Sequence, residues 1–76
     1  MKDVLQYIIE SLVDNPDEIR IDEVDSDNEK TFEVRVAKSD MGKVIGRNGR
    51  IAKEIRTLMR TAANRSGHKL NVEILD

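Results

Sequence analysis

Residues 42–51 read Gly42-Lys43-Val44-Ile45-Gly46-Arg47-Asn48-Gly49-Arg50-Ile51. Two glycines three positions apart flank an arginine and an asparagine, with an apolar pair before them. From Ile51 onward the apolar residues Ile51, Ile55, Leu58, Met59 and Ala62 recur at helical spacing. The stretch therefore predicts a short helix over about 40–45, a tight turn at 46–49 and a longer helix over about 50–65. Glycine accepts positive φ and lets another backbone come close. The turn opens onto a helix N-terminus, where the first N–H groups lack intrahelical partners and the dipole favours negative charge. Arg47 and Arg50 add two positive charges beside it. A phosphate backbone is the natural guest of such a site.

On the N-terminal side, residues 31–37 alternate Phe32, Val34 and Val36 with Thr31, Glu33 and Arg35, the pattern of a half-buried strand. Ile19 and Ile21 give a second strand over 18–25. Val24 breaks its alternation, so a bulge or an early end is expected there. Residues 26–29, Ser-Asp-Asn-Glu, have turn chemistry, and the two strands read as an antiparallel hairpin. Before them, Val4, Leu5, Ile8, Ile9, Leu12 and Val13 mark an amphipathic helix over 2–14, ended by Asn15-Pro16. Ser39 or Asp40 is placed to cap the short helix, and Gly42 to let it pack closely. Beyond the long helix, Gly67 stands where a helix-ending glycine would. Leu70, Val72 and Ile74 alternate in a last strand over 69–75. The order is α-β-β-α-α-β.

The 76 residues predict a single small domain over 1–76. There is no cysteine, hence no disulfide or thiolate metal site. No apolar run approaches the roughly 20 residues of a membrane span, and the N-terminus lacks a secretory pattern, so a cytoplasmic protein is expected. The net charge of −2 conceals a division. Residues 1–30 hold ten acids against three bases, and residues 31–76 hold ten bases against five acids. The basic part contains the glycine turn, and distribution matters more than the sum for a polyanionic partner.

Enzyme chemistry finds no support. His68 is the only histidine, and no carboxylate–histidine grouping accompanies it. Gly42, Gly46 and Gly49 fit neither a phosphate-binding loop of nucleotide hydrolases nor a dinucleotide fingerprint. No cofactor, metal or small-molecule substrate is expected.

The string Val44-Ile45-Gly46-Arg47-Asn48-Gly49-Arg50-Ile51 between two helical segments resembles the K-homology (KH) domain of RNA-binding proteins, whose GXXG loop clamps the backbone of about four unpaired nucleotides. The whole element order is similar to the type II, bacterial arrangement of that fold. The resemblance implies an α+β domain with a three-stranded mixed sheet and helices packed on one face. It implies that Gly46 and Gly49 let the sugar-phosphate backbone lie against the loop, while Arg47, Asn48, Arg50 and the first N–H groups of the third helix contact phosphates. Bases would enter a groove floored by Val44, Ile45 and Ile51, with Ile55 deeper and Val34 and Val36 on the far wall. Their edges would meet main-chain groups of the 31–37 strand. Lys43 and Lys53, on either side of the loop, complete the expected RNA-binding set. Arg50, Lys53, Arg56 or Thr57, and Arg60 share one side of the helix and would extend the phosphate path.

Two plainer uses compete with these. The glycines would serve equally as helix caps in an ordinary connection, and the cationic stripe as a solvated face. The other functional class is an interaction module. The resemblance implies a homodimer, or a heterodimer with a larger KH-containing RNA-binding protein, with Thr61, Ala62 and Ala63 or an exposed edge of the last strand as contacts. It further implies a post-transcriptional regulator or RNA chaperone linked to cell elongation or division.

Overall fold

The computed structural model describes residues 1–75. Helix α1 spans Lys2–Glu10, strands β1 and β2 span Arg20–Ser26 and Glu29–Arg35, helix α2 spans Met41–Ile45, helix α3 spans Arg50–Asn64 and strand β3 spans Lys69–Leu75. Single 3-10 turns at Pro16–Glu18, Lys38–Asp40 and Arg47–Gly49 join them. The element order is the expected one, and the class is α+β.

The sheet runs β1-β2-β3, with β2 in the centre. β1 and β2 pair antiparallel from Arg20↔Arg35 to Ser26↔Glu29, without interruption. Val24 faces Thr31 in register, so the expected bulge is absent. Its side chain points to the uncovered face of the sheet and stays exposed. The turn is two residues, Asp27 and Asn28, rather than four, and Asp27 takes a φ of 50° that short polar side chains tolerate. β2 and β3 pair parallel, Phe32 beside Val72 and Val34 beside Ile74. A parallel partner requires a crossover, and α2, the glycine turn and α3 are that crossover.

One apolar cluster fills the space between the helices and the inner sheet face. Leu5 and Ile9 of α1, Phe32 and Val34 of β2, Val44 of α2, Ile55 and Met59 of α3, and Leu70 and Val72 of β3 are its centre. The period-2 strands and the period-3.6 helices put these residues on facing surfaces.

Helix α1 stops at Glu10 rather than running to residue 14. The Leu12 N–H already turns to the Ile9 carbonyl at 3.0 Å, and the chain beyond is then held from far along the sequence. The N–H of Asp14, which a continuing helix would aim at the Glu10 carbonyl, donates instead to Asp40 Oδ1 at 3.1 Å. The N–H of Asn15 donates to Asp40 Oδ2 at 3.0 Å. Asp40 is fully buried. It makes no capping bond to α2, so the role expected for it at the start of that helix is corrected: its carboxylate turns away to bracket the end of α1.

Candidate nucleic-acid interface

The turn at 46–49 projects where α2 ends and α3 begins. Gly46 takes φ 77° and ψ 177°, a region that only glycine occupies readily. Asn48 at φ 58°, ψ 26° and Gly49 at φ 72°, ψ 15° are both left-handed. The Gly46 N–H closes α2 on the Gly42 carbonyl at 2.9 Å, and the Gly49 N–H returns to the Gly46 carbonyl at 3.2 Å. No side chain caps the N-terminus of α3.

The two glycines do different work. A Cβ on Gly46 would stand 2.6 Å from Cγ1 of Ile51, so the space it leaves is filled from within. A Cβ on Gly49 would meet nothing within 4 Å. Room for an outside backbone therefore exists at Gly49, not at Gly46. Gly42 also faces open space and packs against nothing, contrary to the close packing expected of it.

Arg47, Asn48, Arg50 and Lys53 are exposed, and Ile45 and Ile51 are half-buried beside them. Among the described residues, Arg47, Arg50 and Lys53 enter no ion pair. A shallow hollow follows the loop along α3, lined by Arg50, Lys53, Glu54, Thr57 and Leu58. Arg56 leaves the expected cationic stripe: its Nε donates to the Val72 carbonyl of β3 at 3.1 Å. Thr57, on the same side, is neutral and turns its hydroxyl back to the Lys53 carbonyl at 3.0 Å, so the run of charge is interrupted there.

Several expected contacts are corrected. Val44 has no exposed surface and belongs to the core, as does Val34. The apolar surface left open beside the turn is that of Ile45 and Ile51. β2 lies between two partners, so its main-chain groups over Glu29–Arg35 are engaged by the ladders on either side. Only residues 36–37 of the expected strand lie beyond the pairing. Ala63 is buried among the core residues and cannot serve as a helix contact. β3 does form a sheet edge.

Lys43 is the site residue whose surroundings sequence reasoning missed. Its ammonium donates to Asp14 and, at 3.3 Å, to Asp40 Oδ1. The Asp14 carboxylate, and after it Asp40, push the ammonium above its ordinary range. Burial would raise the Asp40 carboxyl, but the N–H of Asp14, the side-chain amide and N–H of Asn15 and the Lys43 ammonium outweigh it, and the group is held below its ordinary value. Asp14 and Asp40 are 26 positions apart, and only the fold brings them together.

An α-β-β-α-α-β order, a mixed three-stranded sheet and an exposed glycine turn between two helices define a type II KH domain. A family model described as the KH domain of KhpA/KhpB matches residues 2–74, and the chain belongs to that family. It is 47% identical to the RNA-binding protein KhpA of Chlamydia caviae over 76 residues, covering 100% of this chain and 97% of the relative. Against the RNA-binding protein KhpA of Clostridium acetobutylicum it is 48% identical over 75 residues, 99% of this chain and 100% of the other. Against that of Borreliella burgdorferi it is 40% identical over 74 residues, 97% and 90% of the two chains. No helix among the described residues is long and apolar enough to cross a membrane.

Proposed function

We propose that this protein binds single-stranded RNA in the cytoplasm, holding about four nucleotides at the turn 46–49. The observation that carries the reading is the turn itself. It is exposed, it is locked by the positive φ angles of Gly46, Asn48 and Gly49, and Arg47, Arg50 and Lys53 stand beside it without an ion-pair partner among the described residues. Phosphates meet Arg47, Asn48 and Arg50 and pass over the open side of Gly49 towards Lys53. Such contacts hold the strand without reading sequence. Bases turn onto Ile45 and Ile51. The names of the relatives, each an RNA-binding protein matching almost end to end, support the same reading.

The test is the paired change Arg47→Asp and Asn48→Asp. Both side chains are exposed, and aspartate tolerates the left-handed conformation at position 48. The fold should keep its unfolding midpoint to within a few degrees. Each carboxylate at ~4 Å from a phosphate costs roughly 1–4 kcal/mol, against about 8 kcal/mol for a micromolar complex. RNA binding should therefore vanish. A folded variant with unchanged affinity would move the site elsewhere.

A second reading adds assembly with another copy or with a larger KH-containing RNA-binding protein. Leu58, on α3 beside the hollow, is 60% exposed, and Tyr7 on α1 is 72% exposed. One weak module gains selectivity when paired with another through effective concentration.

A further inference from the structure

The two flanks of the glycine turn carry opposite charge. On the α3 flank stand Arg47, Arg50 and Lys53. On the α2 flank stand Lys43, Asp14 and Asp40, so a lysine that would otherwise face RNA is outnumbered by carboxylates. Lys43 lies three residues before Gly46, about one turn of helix, which rises about 5.4 Å. A flexible lysine stem covers that distance.

The two carboxylates are not equivalent. Asp40 is buried and already accepts from the N–H of Asp14, the N–H of Asn15 and the Asn15 side-chain amide. It is satisfied without Lys43 and holds the end of α1. Asp14 uses its backbone for that bracket, while its side chain is 75% exposed and among the described residues reaches only Lys43. Nothing in the packing requires a carboxylate there. Its effect is to occupy a cation and to repel a phosphate that approaches it.

We infer that Asp14 limits the affinity of the RNA clamp, its carboxylate holding Lys43 and keeping one further phosphate contact out of the site. The inference rests on the RNA-binding reading of the turn. The bound strand consequently follows α3 and avoids α2, and the number of phosphates engaged is set by a residue outside the loop.

The probe is a labelled single-stranded RNA octamer of mixed sequence, titrated by anisotropy across a salt series. Asp14→Asn keeps the backbone N–H on Asp40, so the unfolding midpoint should stay within a few degrees of the parent. One added phosphate contact on a single strand steepens the slope of log K against log salt by ~0.7 and raises affinity about fivefold at ~0.1 M salt. Lys43→Met in the parent removes no phosphate contact and leaves the Asp14 carboxylate unpaired, so affinity should fall while the slope does not flatten. In the Asp14→Asn background the same change should return slope and affinity to parental values. An unmoved slope in Asp14→Asn overturns the inference, as does a slope flattened by Lys43→Met alone. The Arg47→Asp, Asn48→Asp pair separates the two levels. If that pair abolishes binding while Asp14→Asn changes nothing, only the role of Asp14 falls. If the pair leaves binding intact, the clamp falls and takes the role of Asp14 with it.

Discussion

Ile51 lies directly beneath Gly46, its Cγ1 at 2.6 Å from where a Cβ on that glycine would stand. Backbone and packing thus demand glycine for separate reasons at one position. Gly46→Ala should cost about 1–3 kcal/mol in backbone strain and a further ~1–3 kcal/mol in overpacking. Trimming Ile51 to alanine in the same chain should recover part of the second cost and none of the first. Gly49→Ala meets no neighbour and should cost only about 1–2 kcal/mol for its left-handed backbone. Urea unfolding of the three variants checks the order. Equal losses at the two glycines would mean that the contact with Ile51 does not hold.

Asp40 predicts a dependence on pH with a definite sign. Its folded carboxyl is held below the ordinary value of 3.8 that it regains on unfolding. The unfolded chain therefore binds the proton first, and the stabilisation is complete above that value and lost as pH falls through the folded one. Asp40→Asn removes an acceptor from the N–H groups of Asp14 and Asn15, and should lower the unfolding midpoint at neutral pH by at least about 5 °C. The gap between variant and parent should narrow steadily below about pH 4. A gap that stays constant down to the acid limit would show that the carboxylate charge is not what the bracket uses.

Salt should weaken RNA binding in proportion to the few phosphates held. Three contacts, at Arg47, Arg50 and Lys53, correspond to a slope of about −2 in log K against log salt, at ~0.7 per phosphate. Duplex RNA should bind less well than a single strand, because a turn of this kind needs splayed bases. Filter binding with matched single and double strands measures both, and binding indifferent to salt would contradict the clamp.

Leu58→Glu addresses assembly. The side chain is mostly in water in the single chain, so the change should move stability by only about 0.5 kcal/mol. If α3 is a contact between chains, sedimentation should find the parent associated at high concentration and the variant monomeric. A parent that sediments as a monomer at every concentration would remove self-association.

Much of the fold was legible because it is written locally. The alternation in β2 and the apolar stripe of α3 each declare their period within one element, and the paired glycines mark the turn between helices. What escaped depends on distance or on phase. The segment that follows α1 is held by a carboxylate 25 and 26 residues away, a contact that no local pattern at 11–15 could reveal. In the candidate site, the five residues of α2 are too few to fix which side is buried, and Val44 and Ile45 looked alike until the core claimed the first. The charge of Lys43 was plain in the sequence, whereas its neutralisation by Asp14 is a property of the fold.

The parallel pairing of β2 with β3 has a further consequence. The third strand returns to the sheet only by way of α2, the turn and α3, so the segment that carries the glycine turn is also the span that closes the sheet. β3 is held by its ladder with β2 and by the packing of Leu70 and Val72 in the core, so a chain in which β3 has come away loses the anchor at the far end of α3. Opening of the sheet should therefore cost the turn its geometry, whereas changes confined to the exposed side chains of Arg47 and Asn48 leave the closure of the sheet intact.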